Sequence, residues 1–284
     1  MPTDKNPLRL GVMGWPVRQS RSPELFYRTF AGRNEVLERF SYDLLEDNDF
    51  KKAYGRFLCD YYAVNVTTPY KEPAFRAADE SSAQCTAIGA ANLLIKRNGR
   101  IIAHNTDVIA VTEILRQWIR ERKAPVGPSR PKVLVVGCGG AGKAATVAAL
   151  STAVGVAIVN RTGETVLRFI DHLKHATTSH SPSHSESSDI RIPSFPLSAL
   201  PDQVRLADFI IYTLPVSIPE LELCDFEGKT VLEAKYYDSS IKKVPGMNYI
   251  PGTEWLRLQA LATYRILGLI TDTFKPADSS LSPL

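Results

Sequence analysis

A glycine-rich turn between an apolar strand and a helix carries the clearest chemical pattern in the sequence. Residues 132–145 read KVLVVGCGGAGKAA, in which Gly137, Gly139 and Gly142 have the spacing G-x-G-x-x-G. The first glycine permits a tight turn, the second lets the backbone approach a pyrophosphate, and the third lets the helix pack closely on the strand. The alternative is a turn that binds nothing, but both flanks favour a dinucleotide site at the helix N-terminus.

The residues after the next strand indicate which dinucleotide is bound. The apolar strand 156–159 is followed by Asn160, Arg161 and Thr162. Folds that bind NAD usually have an acidic residue here, which holds the ribose hydroxyls and would repel a 2′-phosphate. Arg161 can instead pair with a 2′-phosphate and Thr162 can donate to it, so the sequence predicts NADP. The alternative for Arg161 is an ordinary surface position.

A lysine and two serines lie at predicted helix starts in the first hundred residues. The run Ser20-Arg21-Ser22-Pro23 opens a helix, because serine caps helices well and proline suits the first turn. A strand at 63–67 precedes Pro69 and Pro73, which permit a helix to begin near Lys71 but not to run through both prolines. Lys71 is then a functional cation or a solvated lysine, and Ser22 is a ligand or a simple cap.

A hairpin predicts where a third group lies. Asn98-Gly99 separates LLIKR from RIIAH, which is typical of a type I′ turn. Pairing about that turn places Asn92 opposite Asn105, so that Asp107 emerges beside Asn92. Asp107 is therefore a candidate functional carboxylate, although it could simply cap the amphipathic helix that follows it.

The remaining pattern predicts an α/β protein with two domains. Apolar runs at 208–212 and 230–234 repeat the strand pattern of a parallel sheet. We expect a dinucleotide domain over 109–246. The Ser-rich stretch 177–189 is predicted to be a surface loop, and its neighbouring histidines have no established metal spacing, so no metal site is expected.

Composition excludes several functional classes. The 284 residues have a formal net charge of +4 without a dense basic run, which argues against nucleic-acid binding. The sequence has no apolar stretch long enough to span a bilayer and no apolar leader, so we expect a cytoplasmic protein that does not bind membranes. The four cysteines are widely spaced, which favours buried thiols over disulfides or zinc.

Seven motifs, taken in order, carry a family resemblance that spans nearly the whole chain. With GVMGWPVRQSRSP, VNVTTPYKE, AIGAANLLI, NTD, VVGCGGAGKA, NRT and LQALA, the sequence resembles the shikimate dehydrogenases, which reduce 3-dehydroshikimate with NADPH. The resemblance implies an N-terminal α/β substrate domain over 1–108, completed by the C-terminal helix within 247–284, and a Rossmann-type NADP-binding domain over 109–246. It also implies a small-molecule substrate and a monomer or homodimer.

The resemblance also implies roles for individual residues. Lys71 and Asp107 match the catalytic pair. The matching substrate ligands are Ser20, Ser22, Asn65, Thr67, Asn92, Tyr236 and Gln259. The matching cofactor ligands are Gly137, Gly139, Gly140, Ala141, Gly142, Asn160, Arg161, Thr162, Thr213, Leu214 and Pro215. Short amide and hydroxyl side chains suit a polyhydroxy acid, and an ammonium can stabilise and protonate the alkoxide that hydride transfer to a ketone creates.

The sequence departs from the family pattern at several positions. Tyr212 and Ser217 replace asparagine and glycine in a loop that approaches the nicotinamide ribose in the family. Lys235 stands where an apolar residue is usual and Trp255 where methionine is usual. These changes keep two alternatives open, a dehydrogenase for quinate or a related cyclic polyol, and a non-catalytic paralogue that binds dinucleotide or shikimate.

Overall fold

A computed structural model describes residues 7–121, 130–152, 154–178 and 191–273. The chain divides into two compact units, which we call unit 1 (Met1–Thr106 with Gln259–Leu284) and unit 2 (Asp107–Leu258). Of the predicted Ser-rich loop, residues 179–189 lie outside the described residues. No helix in the described ranges is both long and apolar enough to cross a bilayer.

Unit 1 contains a six-stranded mixed sheet with the strand order β2-β1-β3-β5-β6-β4. Strand β1 lies between β2 and β3 and is parallel to both, while β5 runs antiparallel to β3 and to β6. The strands are β1 (Leu8–Gly14), β2 (Phe40–Glu46), β3 (Ala63–Val66), β4 (Glu80–Ser81), β5 (Leu93–Arg97) and β6 (Arg100–His104). The helices are α1 (Ser22–Thr29), α2 (Asn34–Leu37), α3 (Phe50–Asp60), α4 (Lys71–Ala77) and α5 (Ala83–Ile88).

The local predictions for unit 1 are confirmed where turn chemistry decides them. In the β5–β6 hairpin Leu93 pairs with His104, which is the register predicted from the Asn98-Gly99 turn. Asn98 and Gly99 both have positive φ, at 52° and 74°, as a type I′ turn requires. Helix α4 begins at Lys71, because Pro69 precedes it and Pro73 falls within its first turn, where a missing amide hydrogen costs nothing.

Unit 2 contains a six-stranded, entirely parallel sheet with the strand order β12-β11-β10-β7-β8-β9. The strands are β7 (Lys132–Val136), β8 (Gly155–Val159), β9 (Ser194–Phe195), β10 (Phe209–Tyr212), β11 (Thr230–Glu233) and β12 (Asn248–Ile250). The helices are α6 (Asp107–Glu121), α7 (Gly140–Ser151), α8 (Gly163–Thr178) and α9 (Leu200–Leu206), with short 3₁₀ helices at Leu197–Ala199 and Pro219–Leu223.

This strand order is that of the Rossmann-type dinucleotide fold. The first strand of the unit, β7, lies between β8 and β10, so the chain builds the sheet outward in both directions from its centre. Ligands of such sheets bind outside the carboxyl ends of the strands, at the point where the order reverses. The predicted α/β fold class is confirmed.

The last strand and the last helix fix where unit 2 ends. Strand β12 pairs with β11 in parallel, with Val231 opposite Tyr249, and therefore belongs to the sheet of unit 2. Helix α10 (Gly252–Ile266) follows, and its residues after Leu258 belong to unit 1. The compact units divide the chain after Thr106 and after Leu258, whereas the sequence predicted divisions after 108 and after 246.

Candidate functional site

Asn65, near the end of β3, is held by three hydrogen bonds inside unit 1. Its Nδ2 donates to the Asn92 carbonyl oxygen at 3.3 Å and to Thr263 Oγ1 at 3.2 Å. Its Oδ1 accepts from the Tyr42 hydroxyl at 2.8 Å. Asn65 therefore has one fixed orientation, since exchanging its oxygen and nitrogen would set like groups against each other.

Thr106 links three other buried polar side chains of unit 1, those of Asn92, Gln259 and Thr263. Its amide donates to Asn92 Oδ1 at 2.6 Å, and its Oγ1 accepts from Asn92 Nδ2 at 3.0 Å. The same hydroxyl lies 3.3 Å from Gln259 Oε1 and 3.3 Å from Thr263 Oγ1. The structure thus brings Asn65, Asn92 and Gln259 into one network.

Sequence reasoning missed Thr106 and Thr263 as members of this network. Thr106 lies inside the NTD motif, directly before Asp107, and that adjacency was a usable signal. Thr263 lies one helical turn after Gln259, and its hydroxyl donates to the Gln259 carbonyl oxygen at 3.0 Å. Only that spacing of four residues could have suggested it, because such pairs share a helix face.

The two predicted serines bond to each other. Ser22 N donates to Ser20 Oγ at 3.3 Å, and Ser20 Oγ donates to Ser22 Oγ at 3.2 Å. Ser22 is the first residue of α1, with Pro23 in the first turn, and not its N-cap. The alternative of Ser22 as a simple cap is therefore wrong, because a cap accepts the helix amides and here Ser20 accepts the amide of Ser22.

Backbone contacts fix Thr67 and Lys71 at the ends of their elements. Thr67 N donates to the Met13 carbonyl oxygen at 2.9 Å. A Cβ atom on Gly14 would lie 2.4 Å from Thr67 Cγ2, so only glycine fits beside Thr67. The half-buried Lys71 accepts the Ala91 amide on its carbonyl oxygen at 2.8 Å, which joins the start of α4 to the residue before Asn92.

In unit 2, the glycine-rich turn leaves no room for side chains where β7 meets α7. A Cβ atom on Gly142 would lie 2.0 Å from the Gly137 carbonyl oxygen, and one on Gly137 would lie 2.6 Å from Thr213 Oγ1. Gly137 also has a φ of +102°, which other residues rarely adopt. Thr213, after β10, donates to the Val136 carbonyl oxygen at 2.8 Å and lies beside this turn.

The start of α7 fits a dinucleotide pyrophosphate. No side chain caps α7 at Gly139, and apart from its two chain neighbours no other residue comes within 4 Å of the place where a Cβ atom on Gly139 would be. Gly140 and Ala141 are the first two residues of the helix, so their amides have no carbonyl partner within it. An anion there would be held by backbone amides and by the helix dipole.

Asn160 connects the end of β8 to the same turn. Its Oδ1 accepts from Cys138 N at 3.1 Å, and its Nδ2 donates to the Thr162 carbonyl oxygen at 2.9 Å. These two bonds use both ends of the Asn160 side-chain amide to hold the loop after β8. Arg161 and Thr162 are exposed beside it.

Tyr212 shapes the loop that contains Thr213, Leu214 and Pro215. Its ring lies in the hydrophobic cluster of the sheet, and its hydroxyl donates to the Val216 carbonyl oxygen at 2.6 Å. Burial, with a smaller contribution from the charge of Glu233, raises the pKa of Tyr212, so the hydroxyl stays protonated and remains a donor. At this position, where the sequence departs from the family pattern, a buried tyrosine therefore holds the loop by one hydrogen bond, which we call the Tyr212 clamp.

A buried carboxylate holds the segment that contains Tyr236. Glu233, at the end of β11, accepts from Ser239 Oγ at 2.6 Å, from Ser240 N at 2.7 Å and from the Tyr249 hydroxyl at 2.6 Å. Burial and the Glu233 carboxylate raise the pKa of Tyr249 to about 12. Tyr236 is half-buried and its ring packs edge-on against Tyr237.

Two further charged groups of unit 2 are largely buried. The side chain of Lys235 is 13% exposed, and its Nζ lies 3.4 Å from the exposed carboxylate of Asp238. Asp107, the first residue of α6, accepts a hydrogen bond from Trp255 Nε1 at 2.9 Å. Both departures from the family pattern, Lys235 and Trp255, therefore have defined polar contacts within unit 2.

Known proteins match the chain over most of its length. Residues 12–94 match the family described as shikimate dehydrogenase substrate binding domain. A shikimate dehydrogenase (NADP(+)) of Pyrococcus furiosus is 30% identical over 213 residues, which are 74% of this chain and 68% of that protein.

Solved structures match the fold across nearly the whole chain. The shikimate dehydrogenase of Mycobacterium tuberculosis is 25% identical, with a TM-score of 0.70 over 94% of this chain and 96% of that one. A quinate dehydrogenase of Corynebacterium glutamicum, solved with NAD, has a TM-score of 0.72 at 19% identity over 94% of this chain and 95% of that one. At that identity, the second likeness concerns the fold alone.

Proposed function

Since the chain belongs to the shikimate dehydrogenase family, we propose that it interconverts shikimate and 3-dehydroshikimate with NADP as the hydride carrier. The observation that carries the proposal is the network of neutral amides and hydroxyls in unit 1, formed by Asn65, Asn92, Thr106 and Gln259. Neutral groups of this kind donate to and accept from ring hydroxyls. A site built to bond such hydroxyls discriminates strongly against analogues that lack them.

The substrate carboxylate belongs, in this proposal, with Ser20 and Ser22. Both hydroxyls lie at the start of α1, and the amide of Ser22 already bonds to Ser20 Oγ. Serine hydroxyls can turn to donate to a carboxylate, and the positive end of α1 favours an anion. Thr67 and Tyr236 complete the proposed set of hydroxyl ligands.

NADP fits the groups of unit 2. Its pyrophosphate would lie at the uncapped start of α7, and the exposed Arg161 and Thr162 would hold the 2′-phosphate. The loop 213–215, clamped by Tyr212, would contact the ribose next to the nicotinamide. The cofactor supplies one chemical function when bound, the acceptance or return of a hydride.

We propose that Lys71 transfers the proton and that Asp107 orients Lys71. In oxidation, the amine of Lys71 takes the proton of the substrate hydroxyl as the hydride leaves the same carbon. In reduction, the ammonium of Lys71 stabilises the developing alkoxide and returns the proton to it. In this proposal the carboxylate of Asp107 orients the side chain of Lys71.

A second candidate is a dehydrogenase for quinate or a related cyclic polyol. The observation that favours it is the largely buried ammonium of Lys235, next to the proposed substrate ligand Tyr236. An additional donor of this kind could accommodate the extra ring hydroxyl of quinate.

A spectrophotometric assay with four combinations tests both candidates. Shikimate and quinate are each oxidised with NADP⁺ and with NAD⁺, and kcat/KM is compared. We expect the highest value for shikimate with NADP⁺. A higher value for quinate would establish the second candidate, and a rate no higher than that of K71A on every combination would identify a non-catalytic paralogue.

A further inference from the structure

We propose that Trp255 is a positioning residue for Asp107, and that its indole N–H fixes the orientation of the carboxylate that the reaction uses. This inference rests on the proposed function, because it assigns Asp107 its proposed role beside Lys71. Trp255 is not part of the amide and hydroxyl network of unit 1, so the inference gives it a separate role.

The contact is a buried hydrogen bond between residues far apart in sequence. Trp255 Nε1 donates to Asp107 Oδ1 at 2.9 Å across a separation of 148 residues. Trp255 is 4% exposed and Asp107 is 5% exposed, so water competes little for the bond. Indole has one donor and no acceptor, so the bond can form in only one sense and holds one carboxylate oxygen.

Trp255 is itself held firmly, because the start of α10 presses on the end of β11. A Cβ atom on Gly252 would lie 2.5 Å from the Lys235 carbonyl oxygen and 2.7 Å from that of Glu233. The backbone of Gly252 is therefore in close contact with the sheet, one turn before the indole. Arg257 and Glu254 pair on the same helix, with Nη2 2.6 Å from Oε1 and Nε 2.8 Å from Oε2.

The carboxylate gains orientation from this bond in addition to its place on α6. As the first residue of a helix of 15 residues, Asp107 lies at the positive end of the helix dipole. The dipole attracts the carboxylate but does not fix its rotation about χ2, which is a soft torsion. The hydrogen bond from the indole N–H is directional and therefore fixes this rotation. A carboxylate that pairs with Lys71 has to present one oxygen in a fixed place.

The test combines variants in a double-mutant cycle. W255F removes the donor and keeps an aromatic ring, and a benzothienyl analogue of tryptophan at 255, with sulfur in place of N–H, keeps the full shape as well. Each change is made in the wild-type protein and in D107A, and kcat and KM for shikimate are measured with saturating NADP⁺. The control is W118F. Trp118 is a buried tryptophan on α6, the helix that begins at Asp107, and its ring packs on Phe209.

We expect W255F and the analogue to lower kcat by about 10- to 50-fold with KM for shikimate within about twofold, since one hydrogen bond to a charged group is lost. In D107A we expect the same changes to lower kcat by less than about twofold, because the group through which Trp255 acts is gone. W118F should keep the wild-type kcat.

Two results would overturn the inference while leaving the proposed function intact. One is a wild-type kcat in the shape-preserving analogue, and the other is an equal loss of kcat in the wild-type and D107A backgrounds. If W255F fails to fold, the analogue alone decides. A wild-type protein that turns over neither shikimate nor quinate would instead overturn the proposed function and this inference with it.

Discussion

Tyr42 and Asn65 are hydrogen-bonded across the strand that separates them. Tyr42 lies on β2 opposite Leu10, Asn65 lies on β3 opposite Val12, and β1 runs between the two. The Tyr42 hydroxyl nevertheless reaches Asn65 Oδ1 at 2.8 Å, and both side chains are buried. A residue on the far side of β1 thereby sets the orientation of a proposed substrate ligand.

Removing the Tyr42 hydroxyl should weaken substrate binding through Asn65. We expect Y42F to raise KM for shikimate about fivefold, which corresponds to the loss of one neutral hydrogen bond, and to leave kcat within about twofold. The matched control is Y54F, which loses a bond of 2.7 Å to the Ala77 carbonyl oxygen in the same unit. Steady-state kinetics on both variants checks this, and equal KM values in the two would contradict it.

Lys71 should affect the chemical step far more than binding. We expect K71A to lower kcat by about 10²- to 10⁴-fold, the usual contribution of a positioned proton donor, with a much smaller change in KM. K52A, at an exposed position on α3, should behave like the wild type. A variant K71A that keeps its kcat and raises only KM would make Lys71 a binding residue.

Lys71 and Asp107 should act as one unit. We expect D107N alone to be severely impaired, and the double variant K71A/D107N to lose less activity than the product of the two single losses, because each residue needs the other. Comparing kcat for the four proteins measures this coupling. Strictly multiplicative losses would mean that the two groups work independently.

Arg161 should discriminate between the two nicotinamide cofactors. R161A should weaken NADP⁺ binding by on the order of 1.5 to 3 kcal/mol, the value of a charge-assisted hydrogen bond, and should leave NAD⁺ binding nearly unchanged. Isothermal titration with both cofactors measures it. R168A removes an exposed arginine that pairs with Glu164 in the same unit and should alter neither affinity. Equal losses for both cofactors in R161A would contradict the contact with the 2′-phosphate.

The Tyr212 clamp should affect KM for NADP⁺ and leave KM for shikimate unchanged. Y212F removes the bond of 2.6 Å to the Val216 carbonyl oxygen but keeps the buried ring. We expect KM for NADP⁺ to rise about fivefold, as the loss of one hydrogen bond implies, because the loop 213–216 is no longer held. KM for shikimate serves as the internal control and should stay constant. A rise in both would show a general loss of structure.

Features that depend on neighbours along the chain could be predicted from the amino-acid sequence. Local backbone rules account for the glycine spacing from 137 to 142, for the helix start at Lys71 and for the hairpin register that pairs Leu93 with His104. The family motifs gave the identities of the proposed ligands, because they occur in a fixed order along the chain.

The hydrogen bonds between distant side chains became visible only in the folded protein. The contacts of Tyr42 with Asn65 and of Trp255 with Asp107, and the place of Thr263 in the network of unit 1, join residues between 23 and 198 positions apart. The first contact depends on the order of strands in the sheet and the other two depend on how α10 packs, and local propensity contains neither. The same reason explains β12, whose three residues became a strand because the edge of β11 offered them backbone partners.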